Sequence, residues 1–373
     1  MKILFQQFLN KNHSWAMVGR GLATSYIEQG HNVHLFSTDG GDSIPENLKN
    51  NLIGYTDNNL NKISGRLPDK DYDMQISYTA MKNFPIYLSH GNNNRFGIWC
   101  YEWQGINILP TGFAKNYQRC DQLIAPSNFA KEVFLQSKIP ENRITVIPHG
   151  VDESYIASNS KLQLSNKKFK ILANIAQNHI RKNIPGLLEA YGKAFDKNDD
   201  VCLILKGKPK GISNQFDVDV NLIIKKFKEK YKNHAELIIY PNYLDDMSVL
   251  YRSIDAVFTM SHSECFYMPA TEALVSGKLN ICPRYGGQLD FLNDNNSLLI
   301  DGKVGRADPK SMYWESKNNA EWFIPSIDNA VEKLLYARDN FERLNSELEK
   351  NRQELYKSYS WDAVTQRFLE LCK

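Results

Sequence analysis

Two glutamates eight positions apart, Glu264 and Glu272, lie on either side of a proline in the stretch Ser263-Glu-Cys-Phe-Tyr-Met-Pro-Ala-Thr-Glu-Ala-Leu-Val-Ser-Gly277. The apolar run Ala256–Met260 before them reads as a strand, and Pro269–Ser276 reads as a helix that Gly277 stops. Pro269 suits a first helical turn, because the N–H it lacks has no intrahelical partner there. The backbone N–H groups of Phe266, Tyr267 and Met268 are then expected to point off the helix start and, with the helix dipole, to form an anion pocket. Glu272, about one turn inside the helix, would not meet a phosphate but suits hydrogen bonds from ribose hydroxyls. Glu264, in the loop, suits hydrogen bonds from a sugar. A plainer assignment also fits this spacing, with Glu264 as a helix cap and Glu272 as a surface residue.

The elements that must position these groups form two alternating series. In the first, Met1–Phe8 is a strand, Ser14–Gln29 an apolar-faced helix ended by Gly30, and His31–Phe36 a second strand, which together make a βαβ unit. Strands are expected at Asp73–Tyr78, Arg95–Tyr101, Gln122–Ala125 and Ile144–Ile147, and a helix at Asn128–Gln136. The second series has strands at Lys168–Ala173, Val201–Leu205, Ala235–Tyr240, Ala256–Met260 and Leu279–Cys282, with helices at Pro185–Phe195, Asn221–Tyr231, Asp245–Ser253 and Pro269–Ser276. The polar stretch Asp152–Lys168 between the series is the expected linker. The fold class is therefore α/β, two tandem Rossmann-like domains. Ligands of such sheets sit at the carboxyl ends of strands, so a cleft between the domains is the expected site. From about Ser326 a charged helical pattern continues. The segment Asp301–Trp322, with Trp314 and Trp322, is irregular and fits either a lid or a packed insert.

Composition narrows the class. The 373 residues are 42% hydrophobic and 23% charged, enough for full-sized cores. A net charge of +3 is too mild for a nucleic-acid binder, but allows weak peripheral contact with a membrane. The six cysteines are dispersed without metal-ligand spacing, which points to a reducing compartment, and no cluster of carboxylates, histidines or cysteines suggests a metal. The N-terminal stretch lacks the long apolar core of an export signal, and no apolar run is long enough to span a bilayer. A cytoplasmic location is expected.

The segment around the two glutamates resembles the Glu-x7-Glu motif of retaining glycosyltransferases of family 4, which have the two-domain GT-B fold. Ser263-Glu264-Cys-Phe-Tyr-Met-Pro with Glu272-Ala-Leu-Val-Ser-Gly277 is similar to that family's Ser-x-x-Glu-x-Phe-Gly…Glu-Ala-x-x-x-Gly pattern. Tyr251-Arg-Ser-Ile-Asp255 resembles its Tyr-x-x-Ala-Asp approach, and Gly286-Gly287 its later glycine pair. Gly21-Leu-Ala…Gly30-His-Asn-Val-His-Leu35, Ala125-Pro-Ser-Asn-Phe129 and Val146-Ile-Pro-His-Gly-Val-Asp152 extend the likeness over nearly the whole chain. The departure is Tyr267, where the family often has glycine; a ring there is expected to narrow the approach to the donor.

The resemblance implies an acceptor-side domain at 1–155, a nucleotide-sugar domain at 156–355, and a last helix at 356–373 that crosses back onto the first domain. It implies transfer of a sugar from a nucleoside-diphosphate sugar to an acceptor hydroxyl with retained configuration, in glycan, polysaccharide or glycolipid biosynthesis, without a metal or other cofactor. Arg181-Lys182-Asn183 looks like the family's Arg-Lys-Gly phrase, whose lysine contacts the diphosphate. A basic residue six positions earlier is common there; here it is Ala176, and Lys206 is the candidate substitute. Near the first strand, Gly19 either matches a glycine-bearing turn that approaches the diphosphate or acceptor, or merely allows helix packing. Tyr101 or Glu102 falls where the family often has a histidine. Glu102 either orients or deprotonates the acceptor hydroxyl or pairs with Arg95. Expected partners are a nucleotide-sugar donor and a glycan or lipid-linked acceptor, with no nucleic acid. The rival readings are a non-catalytic nucleotide-sugar-binding protein and a sugar-nucleotide epimerase of the same fold.

Overall fold

A computed structural model describes residues 1–10, 13–56, 62–66, 71–78, 94–100, 109, 111–157, 159–176, 178–311 and 320–372. The chain divides into two compact units, one drawn from Met1–Cys100, Ile108–Asp152 and Lys357–Lys373, the other including Glu153–Tyr356.

The first unit is built on β1 (Lys2–Gln7), β2 (Asn32–Ser37), β3 (Leu52–Thr56), β4 (Ile63–Gly65), β5 (Met74–Tyr78), β6 (Arg95–Ile98), β7 (Gln122–Ala125) and β8 (Ile144–Val146). They lie in the order β4-β3-β2-β1-β5-β6-β7-β8, and every neighbouring pair is parallel except β3 and β4. Central strands are buried on both faces, as a parallel sheet covered by helices requires, so Ile3, Leu4 and Phe5 of β1 are all fully buried. β3 and β4 had no strand signal in the sequence. Both are short and carry glycines, Gly54 and Gly65, that interrupt the apolar pattern. Its helices are α1 (Ser14–Glu28), the single turns α2 (Glu46–Lys49) and α3 (Thr111–Ala114), and α4 (Asn128–Gln136), which Ser127 caps through Ala130 N–H.

In the second unit the helices are α5 (Ser154–Ala157), α6 (Ile184–Ala194), α7 (Val220–Lys230), α8 (Ser248–Arg252), α9 (Met268–Val275) and most of α10 (Ile327–Tyr359). Its strands are β9 (Phe169–Asn174), β10 (Val201–Lys206), β11 (Glu236–Tyr240), β12 (Ala256–Phe258), β13 (Leu279–Pro283) and β14 (Leu298–Ile300). They form one parallel sheet in the order β11-β10-β9-β12-β13-β14. This is the 3-2-1-4-5-6 order of a doubly wound sheet, whose topological switch point lies between β9 and β12.

Two expectations are corrected. The stretch 152–168 is not all linker: Arg252 donates to the Tyr155 and Ile156 carbonyls at 2.8 and 2.6 Å, fastening α5 to the second unit. The segment after Asp301 is not irregular throughout. An antiparallel ribbon of β15 (Gly302–Arg306) and β16 (Glu321–Pro325) brackets it, and the His262 ring stacks on Trp322 at 4.1 Å. Among the described residues it is a packed insert; Trp314 lies outside them.

The chain returns to the first unit after α10. Ser360 caps α11 (Trp361–Glu370) through Ala363 N–H, and Ser25 Oγ of α1 donates to Asp362 at 2.6 Å. The Trp361 indole lies so close to Gly21 and Gly150 that a Cβ on either would come within 2.1 or 2.3 Å of it. Its Nε1 donates to Asp152 at 2.8 Å. No helix among the described residues is long and apolar enough to cross a membrane.

Candidate functional site

The switch point of the second sheet brings together the segments that leave β9 and β12. After β9 the chain makes a single 3-10 turn, Ile180–Lys182, and then Asn183 adopts a left-handed conformation at φ 47°. Asparagine tolerates that region better than most residues. Here its side chain also accepts from Gly186 N–H, capping α6, and donates to the Met260 carbonyl at 3.1 Å. The second bond ties the turn to the end of β12.

This tie sets Arg181 and Lys182 against Glu264. Arg181 is 2% exposed, donates to the Ser263 carbonyl at 2.7 Å, and places its Nη1 2.9 Å from Glu264 Oε2. Lys182 Nζ lies 2.7 Å from Glu264 Oε1. Each carboxylate oxygen thus faces one cation. Burial alone would raise the Glu264 pKa; the charges of Arg181 and Lys182 outweigh it and hold the carboxyl at about 2. Gly286 and Gly287 close the other side. The Glu264 carbonyl accepts from Gly287 N–H at 2.8 Å, and Gly286 sits at φ 103° with room for no Cβ, which would lie 2.8 Å from that same oxygen.

Helix α9 begins beside this cluster. Its N-cap is Tyr267, no side chain caps it, and no acidic residue lies in its first turn. A helix start of this kind offers backbone N–H groups and a positive dipole end to an anion. Tyr267 has φ 67° and ψ 66°, which explains why the family often has glycine here. A non-glycine in that conformation costs about 1–3 kcal/mol and persists where its surroundings over-determine it. The ring is buried, with Lys182 Nζ 5.8 Å from its centroid. Its phenol pKa is raised, first by burial and then by the Glu264 charge. Phe266 is buried too, 5.2 Å from the Phe291 ring, and Met268 opens the helix.

Glu272 lies in the second turn of α9, 7% exposed, and accepts a 2.5 Å bond from the Tyr251 hydroxyl. The Tyr251 ring packs against Tyr155 at 5.3 Å. Burial first and then the Glu272 charge raise the Tyr251 pKa. Both plainer assignments are therefore excluded: Glu272 is not a surface residue, and Glu264 is an ion-paired buried carboxylate rather than a cap. Sequence reasoning gave Tyr251 no role. Its position in the Tyr-x-x-Ala-Asp phrase was the available signal.

Lys206, Gly19, Tyr101 and Glu102 complete the expected site. Lys206 does not join the Glu264 cluster; its Nζ donates to the Asn242 carbonyl at 2.9 Å, and burial lowers its pKa. Gly19 is not in a turn. It lies inside α1, where a Cβ would come within 2.8 Å of the Gln7 side chain and 2.9 Å of the Phe8 carbonyl, so it lets the helix approach β1. Tyr101 and Glu102 lie outside the described residues. Arg95 pairs with Asp121 at 2.8 Å.

Two family models match the chain in succession: Glycosyltransferase Family 4 over residues 18–155 and Glycosyl transferases group 1 over residues 157–310. The chain belongs to the group 1 glycosyl transferases, with the GT-B fold. A curated relative, the lipopolysaccharide 1,2-N-acetylglucosaminetransferase of Salmonella typhimurium, is 25% identical over 266 residues. That match covers 68% of this chain and 62% of the relative, so the chain matches less than two thirds of the relative's length. A glycosyltransferase of Rickettsia africae superposes with a TM-score of 0.70 at 17% identity, over 100% of this chain and 97% of its own. Anabaena HepE, solved in complex with UDP-glucose, gives 0.66 at 14% identity over 99% and 98%.

Proposed function

We propose that the protein is a retaining glycosyltransferase that moves a sugar, a hexose or hexose derivative, from a nucleoside-diphosphate sugar to an acceptor hydroxyl in lipopolysaccharide or other surface-glycan synthesis. The observation that carries this reading is the Arg181–Glu264–Lys182 cluster, with Arg181 and Glu264 buried, beside the uncapped start of α9. A leaving diphosphate gains negative charge as the sugar departs, and fixed cations and helix-start N–H groups stabilise that charge most when water is excluded. In this reading Lys182 and the N–H groups of Phe266, Tyr267 and Met268 receive the phosphates, and the reaction needs no bound metal. Glu264, held ionised by its two cations, accepts hydrogen bonds from the donor sugar. Glu272, oriented by Tyr251, accepts them from the ribose. The names of the Salmonella relative and of the UDP-glucose complex support the substrate class.

Calorimetry with a panel of nucleoside diphosphates tests the binding half. One of them should bind, and Glu272→Ala should weaken it several-fold. Unchanged affinity across the panel would refute the ribose role. Release of nucleoside diphosphate on turnover, with the anomeric configuration of the product read by NMR, separates a retaining transferase from a binding protein or an epimerase.

A further inference from the structure

Strands β15 and β16 pair only with each other, and a two-stranded ribbon is marginally stable alone. Side chains of β16 tie it to the second unit. Successive side chains of a strand point to opposite faces, so the neighbours Trp322 and Phe323 can grip two different loops. Trp322 stacks on His262, in the loop that leaves β12, with ring centroids 4.1 Å apart. Phe323 stacks on Tyr285, in the loop that leaves β13, at 5.3 Å and 7° between planes. Both residues of β16 are buried. The two loops they grip are those that flank Glu264. That residue lies two positions after His262, and its carbonyl accepts from Gly287, two positions after Tyr285.

His262 carries the tighter tie. Its carbonyl accepts from Phe323 N–H at 3.0 Å, and its Nδ1 lies 2.7 Å from the Phe323 carbonyl. A carbonyl only accepts, so Nδ1 bears the hydrogen. Burial lowers the His262 pKa, against the bond to Phe323, which raises it, so the ring is uncharged at neutral pH. Its backbone N–H donates to the Arg181 carbonyl at 2.8 Å. Arg181 in turn reaches the Ser263 carbonyl and Glu264. The side chain of His262 thus holds the ribbon, while its backbone holds the turn that supplies the cations.

We infer that His262 is a positioning residue for Glu264, held in place by the β15–β16 ribbon. This rests on the reading of Glu264 as the group that receives the donor sugar. A misplacement of about 1 Å in a group that orients a reacting sugar can cost on the order of a hundredfold in rate. Glu272 is fastened separately, by Tyr251. Loss of the His262 tie therefore falls on turnover more than on nucleotide affinity.

Two variants separate the parts of the tie. His262→Phe keeps a ring against Trp322 and removes the donor; His262→Asn keeps a donor near the Nδ1 position and removes the ring. Release of nucleoside diphosphate is followed with a panel of UDP- and GDP-sugars. With the donor that the wild type turns over, His262→Phe should lower kcat about tenfold or more, while calorimetric affinity for the matching nucleoside diphosphate stays within about twofold. His262→Asn should recover most of the lost kcat. The inference is overturned if His262→Phe turns over as the wild type does, if affinity falls as far as kcat, or if His262→Asn is no better than His262→Phe. A double-mutant cycle reads the same coupling without substrate. Glu264→Gln should lower the urea midpoint less in the His262→Phe background than in the wild type, because a displaced carboxylate has already lost part of its pairing. Equal lowering overturns the inference. Coupling in a chain that releases no nucleoside diphosphate from the panel upholds the positioning of Glu264 by His262 and refutes the transferase reading alone.

Discussion

The two parallel sheets share an architecture but place different chemistry at their switch points. In the second sheet, the segments leaving β9 and β12 set two cations, Arg181 and Lys182, 2.9 and 2.7 Å from the buried Glu264 carboxylate. In the first sheet, the corresponding place lies between β1 and β5, and rings fill it. Trp15 lies 5.4 Å from Tyr78 and 5.5 Å from Phe8, and the Tyr78 hydroxyl is 2.8 Å from Cys100 Sγ. The acid nearby, Asp39, is turned to local structure and accepts from Leu9 and Asn10 N–H at 2.8 and 3.0 Å. The topology decides where loops meet, and the residues on those loops decide whether the place holds charges or packed rings.

The contrast predicts a graded series of losses. Arg181→Met should be the most damaging, at about 3–5 kcal/mol by urea unfolding, because it leaves Glu264 buried with half its compensation gone. A loss under 1 kcal/mol would mean that the cluster is solvated and the contrast false. Gly286→Ala should follow at about 2–3 kcal/mol, from a disallowed φ and a clash with the Glu264 carbonyl, and should weaken nucleotide binding in calorimetry as well. Tyr251→Phe should cost about 1–3 kcal/mol by removing a donor from the buried Glu272. Tyr78→Phe, at the ring-filled switch point, should cost about 1 kcal/mol or less, since its hydroxyl meets a thiol and an imidazole rather than a carboxylate. If it matched Arg181→Met, the charged site would hold no special place.

A pH titration sharpens the same contrast. The Glu264 pKa is depressed from 4.5 to about 2, so its contribution to stability is complete above pH 4.5 and is lost as pH falls through about 2. Melting temperatures measured from pH 6 to pH 2 should therefore show Glu264→Gln well below wild type at the upper end and converging with it at the lower. Parallel curves would remove the ion pairs from the account.

Much of this was legible in the sequence. The βαβ order, the strand entering Glu264, the helix opening near Pro269 and the return of the last helix all follow from periodicity, proline placement and the family phrases. What was not legible depends on contacts distant in the chain. Tyr251 finds Glu272 only when α8 and α9 are folded, and Asn183 reaches Met260 only when β9 and β12 pair. For Gly19 the sequence leaves a phosphate-side turn and helix packing both open; the close approach of α1 to β1 decides for packing. Lys206 ends β10, and its bond to the Asn242 carbonyl, 36 residues on, has no local signal.

The indole of Trp361, set between Gly21 and Gly150, has a consequence for synthesis. Its partner Asp152 leaves the ribosome 209 residues earlier, an interval of about 10–40 s at ordinary elongation rates. During that time the N-terminal sheet lacks the wedge against which α1 and the end of the β8 segment close. The second unit is completed first, although it is encoded later. A nascent chain stalled before Trp361 is thus incomplete in its oldest part, not its newest.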